Sequence, residues 1–182
     1  MKKKKLENLK KICYYIFIVI GVSEVRKMRL KKIKIEDIAD AFLRIVDRDS
    51  GSTITPLKLQ KILYYAQGYY LAMNDKPLFD DDFQAWAHGP VNPKIYNEYK
   101  SYGYSLIDYP KGEAANIKED VLEFLYNIWD TFGIYDGKYL EEMTHNETPW
   151  IEARKNAKPG EKCTNVIDKE SMKKFFKLKL NE

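Results

Sequence analysis

The chain has 182 residues, of which 45% are hydrophobic and 32% are charged, a composition typical of a folded domain rather than of a disordered chain. Its two cysteines, Cys13 and Cys163, and its two histidines, His88 and His145, are too few and too far apart for a disulfide framework or a zinc site. The net charge of +4 combines +10 on residues 1–34 with −6 on residues 35–182. A nucleic-acid-binding domain carries its basic charge on the folded body, so the acidic body argues against this class of protein.

Residues 1–34 form a basic and apolar N-terminal extension, with 12 Lys/Arg against Glu7 and Glu24. Its apolar run Ile12–Val22 is shorter than the ~20 residues that a membrane-spanning helix needs. The run resembles a signal peptide, but no small-residue cleavage site follows it. Three interpretations stay open: translation that begins at Met28, which we favour, a membrane anchor, or an amphipathic helix on the domain edge. None suggests secretion, so we expect a cytoplasmic protein without stable membrane insertion.

Two helices are predicted at the start of the body. Apolar residues recur at three- and four-residue spacing from Ile35 onwards, which predicts a helix to about Asp47. The second helix begins at Thr55, a favourable N-cap, followed by Pro56, whose missing N–H costs nothing at the first helical position. It extends to about Asn74-Asp75, and its apolar residues cover more than one face, which is typical of a central helix in a bundle.

Residues 78–88 change to alternating spacing, which predicts a short β-hairpin or extended pair. We place its turn at the acidic run 80–82 and its end at Gly89-Pro90. Asn92-Pro93 then predicts the cap of another helix, which extends to about Tyr102. The alternating apolar residues are Phe79, Phe83, Ala85 and Ala87.

Four further helices are predicted after an irregular loop. Asn116 caps a long helix that ends at Gly133, where we expect the left-handed conformation that glycine adopts easily. Asp136 and Thr148-Pro149 begin two short helices, and the last helix begins near Asp168. The predicted fold class is therefore mainly α, a compact helical bundle with a small β-hairpin insert.

Three separated segments of the body carry a recognisable pattern. They are TPLKLQKILYYAQG at 55–68, FQAWAHGPV at 83–91 followed by Pro93 and Tyr96, and Leu140 followed by THNETPW at 144–150. In this order they resemble the Panacea domain family, represented by SocA-like antitoxins and phage-associated proteins of the GepA type. The resemblance covers roughly residues 35–180, and we assign the domain to 35–182. The extension departs from it, since family members start shortly before the first body helix.

The resemblance implies an antitoxin that neutralises a cognate toxin, encoded beside it, by direct protein–protein binding. Some members resemble adaptors that deliver the toxin to a protease such as Clp. It implies no catalysis, cofactor, metal or nucleic acid. A DNA-binding autoregulator or a phage-associated regulator is the alternative, weakened by the acidic body and the lack of a basic recognition helix. An enzyme built around His88 and His145 lacks a phosphate loop, metal cluster or nucleophile elbow.

Candidate partner-binding residues come from all three segments. Each of the pairs Tyr64-Tyr65 and Tyr69-Tyr70 is expected to place one tyrosine in the core and to offer the other to a partner. A rigid hairpin would hold exposed side chains such as His88 in place before binding, whereas Trp86 is favoured as a core residue. The candidates are Tyr65, Tyr69, Trp86, His88, Gly89, Pro90, Val91, Tyr96, Thr144, His145 and Trp150.

Overall fold

The computed structural model describes residues 33–181, so the predictions about Met28 and the apolar run of the extension lie outside the described residues. Within that range the chain is mainly helical with one small antiparallel sheet, which confirms the predicted fold class. The elements are α1 Ile35–Ile45, α2 Pro56–Asn74, β1 Gln84–Trp86, β2 Gly89–Val91, α3 Pro93–Tyr99, a 3-10 turn Lys100–Tyr102, α4 Glu119–Phe132, α5 Gly137–His145, α6 Thr148–Arg154 and α7 Lys169–Leu180.

Helix α2 occupies the centre of the molecule. The predicted start is confirmed, because the Thr55 hydroxyl accepts a hydrogen bond from the Lys58 N–H and Pro56 is the first helical residue. Asp75 ends the helix in the left-handed conformation, with φ +54°. All residues from 58 to 69 are buried, since α1, α4, α5, α7 and the hairpin pack around the helix. Within residues 33–181, neither α2 nor any other helix is both long and apolar enough to cross a membrane.

An aromatic cluster joins α2 to the C-terminal helices. The Tyr65 and Phe132 rings stack with their centroids 4.2 Å apart, and the Phe176 ring meets Tyr65 edge to face at 6.1 Å. A Cβ at position 68 would lie 2.1 Å from the Phe176 ring, so Gly68 allows α7 to approach α2 closely. The buried polar residues of α2 lie against backbone instead, since Gln60, Lys61 and Gln67 each donate to a carbonyl of residues 79–92.

The predicted hairpin is confirmed, but its turn is not where the sequence suggested. Trp86 pairs with Gly89, so the loop is Ala87-His88, and the acidic run 80–82 lies before β1. Gly89-Pro90 does not end the hairpin but begins β2. The turn forms here because Gly89 adopts φ +89°, which a residue with a side chain rarely tolerates.

A third extended segment lies on the other side of β1. The Ala85 N–H donates to the Asn165 carbonyl at 2.9 Å, and the Ile167 N–H donates to the Phe83 carbonyl at 2.8 Å. Both edges of β1 are therefore hydrogen-bonded, which fixes this short strand between β2 and the segment that leads into α7.

The predicted end of α4 at Gly133 is confirmed, but its predicted N-cap and the predicted conformation of Gly133 were wrong. Helix α4 is capped by Lys118 rather than Asn116. Gly133 ends α4 with φ −64°, in the right-handed rather than the left-handed conformation. Glycine is needed there for space, because a Cβ would lie 2.5 Å from the Trp129 carbonyl oxygen and 2.7 Å from its ring. The predicted starts of α5 at Asp136 and of α7 at Asp168 are confirmed by side-chain caps.

Candidate partner-binding site

The three motif segments, far apart in sequence, meet at the hairpin. The first motif lies on α2, the second forms the hairpin itself, and the third spans the end of α5 and the start of α6. Both α2 and α5 pack against β2, whereas α6 packs against β1. The second motif therefore forms a hairpin that packs against the elements carrying the other two motifs.

Gln60 binds the chain just beyond β2 with both ends of its amide. Its Nε2 donates to the Asn92 carbonyl at 3.2 Å, and its Oε1 accepts from the Asn92 N–H at 2.8 Å. The Asn92 side chain in turn caps α3 and donates to the Asp82 carbonyl at 2.9 Å. Since Gln60 and Asn92 are both buried, these bonds form without competition from water and fix where the hairpin enters α3.

Lys61 supports β2 from within the core. Its ammonium is fully buried and donates to the Pro90 carbonyl at 3.0 Å. Burial lowers the pKa of Lys61 to about 7, and the charge of Glu141 only partly opposes this shift. The Gly89 backbone approaches the Lys61 amine closely. A Cβ at position 89 would be 2.9 Å from the Lys61 Nζ and 2.6 Å from the Thr144 hydroxyl. Glycine is thus required by close approach as well as by φ.

Helix α6 holds β1 by two side-chain hydrogen bonds to backbone carbonyls. The Trp150 indole N–H donates to the Trp86 carbonyl at 3.0 Å, and the Arg154 guanidinium donates to the Ala85 carbonyl at 3.0 Å. The same guanidinium lies 5.0 Å from the centroid of the Trp150 ring. The His145 ring stacks on the Trp150 ring, with the two centroids 4.2 Å apart. Burial lowers the pKa of His145.

The loop of the hairpin carries a histidine that contacts a buried glutamate. His88, whose side chain is 76% exposed, places Nδ1 3.1 Å from the Glu141 Oε1, and the Lys138 ammonium lies 2.8 Å from the same oxygen. Burial alone would raise the pKa of Glu141, but hydrogen bonds from Lys138 and His88 lower it. The loop is therefore tied to α5 even though its histidine faces solvent.

Three outward side chains, Trp86, His88 and Tyr96, define what we name the hairpin face. The half-buried Trp86 ring meets the Tyr96 ring edge to face at 4.9 Å, and its indole N–H donates to the Gln84 side chain at 2.8 Å. Tyr96 is 42% exposed. The expectation that Trp86 is a core residue holds only in part, because the residue is half-buried.

The other sequence candidates divide by burial. The expectation for the tyrosine pairs was wrong for Tyr64-Tyr65, since both are buried. The second pair divides into a buried Tyr69 and a half-buried Tyr70, so the named candidate Tyr69 is the core residue of that pair. The rings of α4 and α7 cover the face of α2 on which a partner was expected. Tyr65, Tyr69, Gly89, Pro90, Val91 and Thr144 are buried, His145 and Trp150 are half-buried, and His88 and Tyr96 are exposed. The buried candidates can shape the hairpin face but cannot contact a partner in this structure.

Sequence reasoning missed the buried polar residues that hold the hairpin. One feature of the sequence could have indicated that Gln60 and Lys61 are buried. Both are polar residues within a helix whose apolar residues cover more than one face. Arg154 follows Trp150 by one helical turn, but its partner in β1 is 69 residues away and leaves no local pattern. Across residues 33–181, no three His, Cys, Asp or Glu side chains are grouped closely enough to hold a metal ion.

Comparison with known proteins places this site in a family. Residues 59–151, just over half of the chain, match the family described as "Antitoxin SocA-like, Panacea domain". Antitoxin SocA of Caulobacter vibrioides (strain NA1000 / CB15N) is 37% identical over 75 residues, which cover 41% of this chain and only 37% of that relative. No solved structure matches the chain. The family match spans the α2 motif, the hairpin and the start of α6, and the chain belongs to the SocA-like Panacea domain family.

Proposed function

We propose that the protein is an antitoxin that neutralises a cognate toxin by direct binding through the hairpin face. One observation carries this proposal: the three family motifs converge to fix the buried side of the hairpin, while Trp86, His88 and Tyr96 stay accessible on its outer side. The similarity to a protein named antitoxin SocA supports the general role.

A fixed hairpin suits recognition of another protein. Binding orders side chains and loops at a cost, and a segment that is already held by buried hydrogen bonds avoids most of that cost. Tryptophan and tyrosine are also the residues that most often anchor protein interfaces. The acidic body, at −6 over residues 35–182, favours a toxin with a basic surface, because complementary charge accelerates encounter and selects partners.

Neutralisation by blocking the toxin is the simplest form of this function, and it requires no catalysis by the antitoxin. Delivery of the toxin to a protease such as Clp would add a second partner. The two forms differ in one measurement: the half-life of the toxin in cells that lack the protease changes only if the antitoxin delivers it. We propose blocking, so the toxin's half-life should be the same with and without the protease.

The test combines copurification with the product of the adjacent gene and rescue of growth when that product is expressed. His88→Ala and Tyr96→Ala should each weaken binding about tenfold or more and reduce rescue, with unchanged thermal stability. Tyr126→Ala is the matched control, since Tyr126 is 49% exposed on α4 and lies outside the hairpin face. If both hairpin variants bind and rescue as well as the control, the contact surface lies elsewhere.

A further inference from the structure

A buried acid lies at the start of α6, between two tyrosines of α2. Glu147 is 8% exposed, and Tyr64 and Tyr65 are essentially inaccessible. The Tyr65 hydroxyl donates to the Glu147 Oε1 at 2.9 Å. Among the described residues, neither the Glu147 Oε2 nor the Tyr64 hydroxyl has a hydrogen-bond partner of normal geometry. Two buried polar atoms are therefore left over in the same small region.

These two atoms belong to groups that interact with each other. Burial and then the charge and hydrogen bonding of Glu147 raise the pKa of Tyr64 well above its usual value, so the hydroxyl lies close to the carboxyl. The groups that face Glu147 are Tyr64 and Tyr65 from α2 and the charge of Lys179 from α7. Since buried polar atoms are almost always hydrogen-bonded, a hydrogen bond between the Tyr64 hydroxyl and the Glu147 Oε2 would satisfy both leftover atoms.

We propose that Glu147 is a neutral carboxylic acid that bridges the Tyr64 and Tyr65 hydroxyls and positions the hairpin face through α6. The part that concerns binding rests on the proposed function. Burial supports the neutral form, because it raises the pKa of Glu147 to about 7, although the two tyrosines and Lys179 oppose this shift.

The path from Glu147 to the hairpin face is short. The Glu147 carbonyl accepts the first hydrogen bond of α6, from the Ile151 N–H at 3.1 Å. Trp150 and Arg154 on that helix hold the carbonyls of Trp86 and Ala85. Ionised Glu147 would be a buried charge that must move towards water, and it would carry the start of α6 and the Trp150 indole with it. Partner binding should therefore weaken as the pH rises above about 7.

The first test is a carboxyl ¹³C NMR titration of the full chain, with the Glu147 signal assigned by its loss in Glu147→Gln. We expect a midpoint near 7, and a midpoint near the ordinary ~4.3 of glutamate would overturn the proposal. Tyr64→Phe and Tyr65→Phe should each raise the midpoint, because each removes a hydrogen bond that opposes the effect of burial on the Glu147 pKa. An unchanged midpoint in both variants would mean that neither hydroxyl binds the carboxyl, and it would contradict the bridge.

The second test measures positioning without the toxin. Between pH 6 and 8.5 the Trp150 indole N–H proton signal should shift in step with the Glu147 titration in the wild type. In Glu147→Gln, whose amide is neutral and of the same shape, this component should disappear. Lys61 and His145 also have lowered pKa values, so the difference between the two proteins isolates Glu147. An identical indole titration in both proteins would exclude the positioning role.

The third test measures binding to the toxin over the same pH range. Binding by the wild type should weaken several-fold from pH 6.5 to 8.5, whereas Glu147→Gln should bind with a flat profile. Glu123→Gln, on the exposed surface of α4, is the matched control and should follow the wild type. If the toxin binds none of these proteins, the proposed function fails, while the NMR titrations still decide the state of Glu147. Equal pH profiles for wild type and Glu147→Gln would refute the link to binding.

Discussion

On the side that faces α2, the hairpin is held by groups without access to water, whereas Trp86 of β1, His88 of the loop and Tyr96 of α3 are in contact with solvent. The inner groups, Gln60 and Lys61, each bind backbone carbonyls of the hairpin region. The outer groups, Trp86 and Tyr96, contact mainly each other. Stability should therefore depend on the inner side and partner recognition on the outer side, and substitutions can separate the two.

The largest effect on stability is expected for Gly89→Ala. A side chain at φ +89° strains the backbone, and its Cβ would overlap the Thr144 hydroxyl and the buried Lys61 amine. We expect the free energy of unfolding to fall by about 3–5 kcal/mol. Gly51→Ala is the control, because Gly51 has φ +83° with no atom within 4 Å of the added Cβ, and it should lose only about 1 kcal/mol. Equal losses in urea unfolding would mean that close approach at Gly89 contributes nothing.

The next effect compares two glutamines on opposite sides of the hairpin. Gln60→Ala leaves the buried Asn92 N–H without a partner, while the Asn92 carbonyl still accepts from the Tyr96 N–H, so we expect a loss of about 1–3 kcal/mol. Gln84→Ala removes one hydrogen bond, to the half-buried Trp86 indole, and should cost about 1 kcal/mol or less. Thermal or urea unfolding of both variants checks the order. A larger loss for Gln84→Ala would reverse the assignment of inner and outer sides.

A smaller effect on stability is expected for Trp86→Ala. Because Trp86 is half-buried and its backbone carbonyl still accepts from Trp150, we expect a loss of about 1–2 kcal/mol, together with weaker toxin binding. Trp129→Ala is the comparison within the core, where Trp129 is 8% exposed and should cost about 3–5 kcal/mol. Circular dichroism and binding measured on the same samples separate the two properties. If Trp86→Ala destabilises the protein as much as Trp129→Ala, Trp86 functions as a core residue.

The parts of this architecture that local chemistry determines could be predicted from the sequence. Thr55-Pro56 and Asp136 specify helix starts within a few residues, and both starts were predicted correctly. The class of the fold followed from apolar periodicity. The hairpin turn was misplaced, because Asp, Gly and Pro all favour turns and the local sequence does not show that Gly89 is the residue that adopts a positive φ beside the turn.

The candidate site was harder to predict for a related reason. Lysine in a helix is usually solvated, so the sequence gives little sign that Lys61 is buried against a carbonyl 29 residues away. Tyr65 looked available to a partner because adjacent residues of a helix face different directions, and only the positions of Phe132 and Phe176 show that its face is covered as well. His88 and Tyr96 were correctly placed at the surface, since a loop and the exposed face of a short helix depend on local sequence.

The smallest effect on stability is expected for removal of residues 1–27, which leaves a chain that begins at Met28. This change removes eight Lys/Arg and two Glu, so the net charge goes from +4 to −2, while every residue of the core described above remains. We expect cooperative unfolding with a change below about 0.5 kcal/mol, since all residues named on both sides of the hairpin are retained. A more acidic protein should associate faster with a basic toxin, and the association rate should fall more steeply with salt. Aggregation of the shortened chain, or loss of its neutralising activity, would show that the extension belongs to the working protein.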